Sequence, residues 1–173
     1  MTWDLVRPKR NEQDFIQEAE RLNFKELVFL YEQPKGVPTS FPRSKVKIRT
    51  ALLCSNPGRA ASLAKKADFI CAKLSRGFSE TRYVHLLFHA EQCEKPDNVH
   101  FRRSEMNQVL AKILTEKSKM YLFDWSTVVQ SKEPWVILGR MMQNARLCNK
   151  YGVSCAVITR ARTPQEKIGR AHV

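Results

Sequence analysis

MYLFDWSTVVQSKEPWVILGRMMQNARLCNKYGVSCAVIT, residues 120–159, decides the fold. MYLFDWS (120–126) and VSCAVIT (153–159) are short, almost continuous apolar runs, the pattern of strands buried on both faces. Between them, EPWVILGRMMQNARLCNKYG (133–152) sets Leu138, Met141, Met142, Ala145 and Cys148 on one helical face. Tyr151-Gly152 supplies the C-terminal stop of that helix. Strands of this kind separated by a helix predict a parallel sheet covered by helices.

The same alternation extends toward the N-terminus. DLV (4–6) reads as a short strand, and NEQDFIQEAERL (11–22) as a helix with Asn11 as N-cap and Phe15, Ala19 and Leu22 inward. KELVFLYE (25–32) is a strand, and EQPKGVPTSFPRS (32–44), with its prolines and glycine, a loop. KVKIRTALLC (45–54) is a strand with Val46, Ile48 and Thr50 inward. NPGRAASLAKKA (56–67) is a helix capped by Asn56 with Pro57 at its first position. DFICAKL (68–74) and VHLLFHA (84–90) are strands, and a helix is expected from Phe101 to Ser118. This gives an α/β fold with about seven strands, a (β/α) TIM-like barrel rather than an open doubly wound sheet. No GxGxxG follows the first strand, so nothing supports a dinucleotide site. Such barrels generally run to ~200 residues or more. The expectation is therefore one barrel domain over residues 1–167, incomplete at its C-terminus and lacking its closing strand and helix. IGRAHV (168–173) resembles translated sequencing-adapter sequence and is expected to be a non-native tail.

Composition narrows the function. The chain of 173 residues carries a formal charge of +13, with a pI near 9.8. The surplus lies in two blocks: residues 43–82 hold 10 basic and 2 acidic side chains, and residues 99–173 hold 13 and 5. A balance of this size points to a polyanionic partner, with nucleic acid ahead of membrane. The sequence has no apolar run of transmembrane length and no signal-peptide core, which predicts a cytoplasmic protein. Five widely spaced cysteines without a CxxC pair suit a reducing compartment and no zinc finger.

The residues do not assemble a self-sufficient catalytic centre. His85 and His89 share a strand face, but their Cα atoms lie about 13 Å apart at strand spacing, too far to chelate one ion unaided. Asp4, Asp68 and Asp124 share no motif, although Asp124 falls where a barrel keeps catalytic groups. No GxSxG is present. Arginines and amides recur instead. In VHFRRSEMNQVLAKI (99–113), a stripe of Met106, Val109, Leu110 and Ile113, continued by Leu114, is preceded by two arginines where a helix N-terminus favours acids. The expected RNA- or partner-binding residues are His100, Arg102, Arg103, Asn107 and Gln108 there, Arg140, Asn144 and Arg146 on the 133–152 helix, and Arg160 and Arg162 after the last strand. Arginine forks suit phosphates, and amides read base edges or 2′-hydroxyls.

VHFRRSEMNQVLAKI, MYLFDWSTVV and LGRMMQNARLCNKYGVSCAVITRART together resemble ribonuclease P protein component 3 of archaea, the family that includes the eukaryotic thirty-kilodalton subunit. The resemblance is strongest from Val99 to Pro164. It implies a barrel related to the polymerase-and-histidinol-phosphatase (PHP) superfamily, whose phosphoesterases carry an HxH pair at the end of the first strand. Here that stretch is Asp4-Leu5-Val6, without histidine. The resemblance further implies a chain that binds no metal or cofactor of its own. It would pair with protein component 2 and support an RNA whose magnesium-dependent cleavage removes the 5′ leader of precursor tRNA. Ser104-Glu105 departs from the family's usual Ser-Gly, so Glu105 either blocks a close backbone approach or offsets the arginines. A metal-dependent PHP-type phosphoesterase is the alternative, with only His85, His89 and Asp124 to contribute. A basic protein acting on another RNA is a third reading.

Overall fold

The computed structural model describes residues 2–93, 97–98 and 102–166. Seven strands lie side by side in chain order: β1 (Trp3–Val6), β2 (Glu26–Tyr31), β3 (Lys47–Leu53), β4 (Phe69–Lys73), β5 (Leu86–Phe88), β6 (Met120–Asp124) and β7 (Ser154–Ile158). All neighbours pair in parallel, and registers such as Phe88 opposite Lys73 and Leu122 align their C-terminal ends on one face. The edges of the sheet then meet. The N–H of Arg160 donates to Leu5 O at 2.9 Å, and the N–H of Arg7 donates to Ala161 O at 2.8 Å. Asp4 fastens this seam by accepting from the Thr159 N–H at 2.9 Å and hydroxyl at 2.7 Å.

The α/β TIM-like barrel is therefore nearly closed. Among the described residues no further strand stands between β1 and β7. Leu5, Val28, Leu30, Ala51, Cys71, Leu86, Phe88, Leu122 and Ile158 fill the interior, with Trp3, Leu53, Phe69, Met120 and Ala156 packed against them. A larger core covers the outside of the sheet. There α1 (Glu12–Arg21) lays Phe15, Ile16 and Ala19 inward, and Leu110, Ala111 and Leu114 come from α4 (Gln108–Glu116). Burial of each large side chain contributes roughly 1.5–3 kcal/mol.

Four sequence expectations change in ways that shape the site. The helix expected from Phe101 begins only at Gln108, where the Asn107 side chain accepts from the Leu110 N–H at 3.0 Å. Arg102 and Arg103 thus precede the helix and never meet its dipole, and Val109 is exposed. The 56–67 helix contracts to a 3-10 turn over Pro57–Arg59 and α2 (Ala60–Leu63), because so few apolar side chains hold it and Gly58 weakens its first turn. Two helices too short for periodicity intervene, α3 (Arg76–Glu80) and α5 (Trp125–Gln130). Finally α6 (Pro134–Tyr151), ended by Gly152 at φ 68°, buries Arg140, Met141, Asn144 and Cys148. Leu138, Met142 and Ala145, expected inside, line an open apolar groove with Trp125 and Val157. All five cysteines are free thiols.

Candidate functional site

The C-terminal ends of β5, β6 and β7 bring His89, Asp124 and Arg160 together at the barrel mouth. His89 Nε2 lies 2.7 Å from Asp124 Oδ2 and 2.8 Å from Arg160 Nη1, and Arg160 Nε lies 3.1 Å from the same carboxylate oxygen. Arg160 is a donor only, whereas ionised Asp124 is an acceptor only. One imidazole nitrogen can satisfy either neighbour but not both, so the histidine tautomer is set by competition between them. His89 (φ 66°) and Arg160 (φ 46°) both occupy the left-handed region, uncommon for such residues. Asp124 also caps α5, accepting from the N–H and hydroxyl of Ser126. Burial pulls the Arg160 guanidinium below the usual arginine range, against the opposing pull of Asp124. Arg7 pairs with Glu32 on the same rim, and Lys73 with Glu105 at 3.1 Å.

Two residues past His89, the chain enters a buried polar network. Glu91, 1 % exposed, receives the Tyr121 hydroxyl at 2.8 Å and Asn144 Nδ2 at 2.8 Å. Asn144 Nδ2 also reaches Ser104 Oγ, which donates to Ala90 O. Arg140 donates from Nη1 to the carbonyls of Glu91 and Cys93 and from Nε to Asp97. Gln143 binds the Arg102 backbone as a strand would: its Oε1 accepts the N–H at 3.1 Å, and its Nε2 donates to the carbonyl at 2.8 Å. These contacts clamp the described residues between β5 and α4 onto α6. Burial raises the Glu91 carboxyl above its ordinary range, which the Asn144 and Tyr121 hydrogen bonds oppose. For Asp97, burial acts in the raising direction. The Arg103 N–H and Arg140 outweigh it, and the carboxyl is lowered.

The sequence-predicted residues divide accordingly. Arg140 and Asn144 face inward and hold the clamp, while Arg146 points outward. Arg102 leans across α6 toward Asp97, and a β-carbon at Gly139 would collide with its guanidinium. Arg103 is half-buried with Nη2 on Asn98. Asn107 and Gln108 are exposed at the start of α4. Arg160 belongs to the mouth and Arg162 sits half-buried beside it, whereas His100 lies outside the described residues. Glu105 pairs with neither arginine; Asp97 meets the Arg102 guanidinium at 3.4 Å and accepts from Arg103 only the backbone N–H. Glu105 reaches Lys73 instead, and its N–H still donates to Ala90 O at 2.9 Å, so the close backbone approach survives without glycine. Sequence reasoning missed Glu91, Asp97 and Tyr121. For Glu91 and Tyr121 the only signal was a polar group in or beside an apolar run, and Asp97, within EKPDN, had not even that.

A PHP-type barrel would hold metal at this mouth. Where β5, β6 and β7 meet, the described residues offer His89 and Asp124 as donors, and the Arg160 guanidinium touches both. Among the described residues no group of three or more His, Cys, Asp or Glu side chains is placed to hold an ion. The described residues at the mouth do not fit a metal centre. The described residues also contain no helix long and apolar enough to cross a membrane.

No protein-family model and no curated protein matches the chain. Solved structures match its fold. A chain of archaeal ribonuclease P with mature tRNA superposes with a TM-score of 0.73, covering 95 % of this chain and 77 % of that chain at 15 % identity. Ochratoxinase of A. niger gives 0.53, covering 94 % of this chain and 63 % of that one at 10 % identity. A prolidase complexed with N-methylphosphonate-L-proline gives 0.51, covering 98 % and 67 % at 7 % identity. At these identities the likeness is one of fold. This chain has a ribonuclease P subunit-like barrel.

Proposed function

We propose that this chain is a non-catalytic protein subunit of ribonuclease P, of the component 3 type, which supports the catalytic RNA in removing the 5′ leader of precursor tRNA. The observation that carries this reading is its superposition, over 95 % of its length, on a chain of archaeal ribonuclease P with mature tRNA. The +13 charge supports it, as do the sequence patches from Val99 to Pro164 and a barrel mouth filled by Arg160. Its partners are ribonuclease P RNA, protein component 2 and, through the complex, precursor tRNA, in the cytoplasm. Magnesium serves the RNA. Arg102, Arg103, Asn107, Gln108, Arg146 and Arg162, together with His100, form the contact set. Arg140, Asn144 and Arg160 act behind them by holding the segment in place.

Binding tests this reading. The chain, alone and with component 2, should retain ribonuclease P RNA in a mobility-shift titration. Arg102→Ala with Arg103→Ala should weaken retention and flatten its salt dependence. Unchanged binding and salt slope would remove these arginines from the contact set. Stoichiometric zinc or manganese, with turnover of a simple phosphoester, would favour the phosphoesterase instead.

A further inference from the structure

The contact set above draws only on the second basic block, and residues 43–82 hold the other one without a role. On the same C-terminal face of the barrel, a cleft of about 420 Å³ opens between the ends of β2 and β3. Its cations come from three places: Lys35 on the Pro34–Gly36 turn after β2, Arg59 at the end of the Pro57–Arg59 turn after β3, and Lys66 beyond α2. All three are exposed, and among the described residues none is ion-paired with a carboxylate. Glu32 is the one acid in the lining, and Arg7 neutralises it.

We infer that this cleft is a second RNA-binding surface, which holds the phosphodiester backbone between Lys35, Arg59 and Lys66. The inference deepens the ribonuclease P reading and rests on it. A phosphodiester spreads its charge over two free oxygens and is best held by cations converging from several directions, one of them an arginine fork. The cleft volume lies within the ~300–1,000 Å³ range of sites that enclose a small ligand, enough for one nucleotide of a strand. Gln33, Ser55 and Asn56 put amides and a hydroxyl where ribose hydroxyls would pass, over a floor of Leu53, Cys54 and Leu63. An acidic protein face is the competing occupant, but no aromatic side chain of the kind that anchors protein interfaces lines the cleft.

The test compares Lys35→Gln/Arg59→Gln/Lys66→Gln with a charge-matched control, Lys9→Gln/Lys25→Gln/Lys132→Gln, each assembled with component 2 and titrated with ribonuclease P RNA over a salt series. Each lost phosphate contact removes roughly 0.7–0.9 from the log–log salt slope. With three cations removed, the cleft variant should therefore lose about two units of slope and roughly tenfold in affinity at low salt. The control should keep the slope of the unaltered complex. Equal slopes for cleft variant and unaltered complex overturn the cleft alone, as does an equal loss in the control. A cleft variant that keeps its RNA affinity but releases component 2 marks the cleft as a protein face and overturns the inference. If the unaltered complex binds no ribonuclease P RNA, the cleft and the functional reading fall together.

Discussion

Lys119 is 3 % exposed and directs its ammonium at three carbonyls, donating to Thr81 O at 2.5 Å, Val84 O at 2.6 Å and Phe78 O at 3.5 Å. It thereby fastens the end of α3 under the barrel. Burial lowers its pKa from 10.5 to about 8, and Lys117 adds to the lowering. The folded state then sheds its proton before the unfolded state does, so stability should rise as pH climbs from about 8 to 10.5. Denaturant midpoints across that window should rise more for the native protein than for Lys119→Met; parallel curves would remove Lys119 as the source. Arg160 makes the opposite kind of contribution, a paired charge at a half-buried position. Arg160→Ala leaves Asp124, 1 % exposed, without its cation and should cost about 3 kcal/mol in urea unfolding. A loss under about 0.5 kcal/mol, the scale of an ordinary surface substitution, would show that the Ser126 cap suffices for Asp124.

At the scale of elements, α6 and the segment it clamps form one unit. Asn144→Ala removes the donor shared by Glu91 and Ser104 and should destabilise by roughly 1–3 kcal/mol. Amide exchange should quicken most at the described residues from Ala90 to Met106; uniform acceleration would mean that the clamp is not a local device. Gly139→Ala separates stability from contact. Alanine favours a helix by about 1 kcal/mol, but its β-carbon displaces the Arg102 side chain. The expected outcome is stability within about 1 kcal/mol of the original with weaker RNA or partner binding. Intact binding would show that the position of Arg102 is irrelevant. The strands and Gly152 were legible in the sequence because burial on two faces and a left-handed stop leave local marks. The face of α6 was not. Its apolar side chains predicted one orientation, and Glu91, 53 residues from Asn144, imposed another. No periodicity within a helix reports a carboxylate contributed by a distant loop. The arginine pair misled for a related reason: the acid that Arg102 meets, Asp97, sits in a loop, and the real N-cap, Asn107, lies a full turn later.

At the scale of the molecule, alternating strands and helices announced the barrel, whereas its closure depended on a detail without sequence pattern, the Asp4–Thr159 seam. The missing histidines after β1 were legible, but the arginine touching both His89 and Asp124 required the fold. The occupied mouth and the basic surplus in two blocks are features on which the proposed ribonuclease P reading rests. The most direct test is precursor-tRNA cleavage by ribonuclease P RNA with component 2, measured with and without this chain at moderate magnesium. The chain alone should cut nothing, and its addition should raise the cleavage rate at the mature 5′ end. No gain in rate would contradict the assignment, and so would cleavage by the chain without RNA.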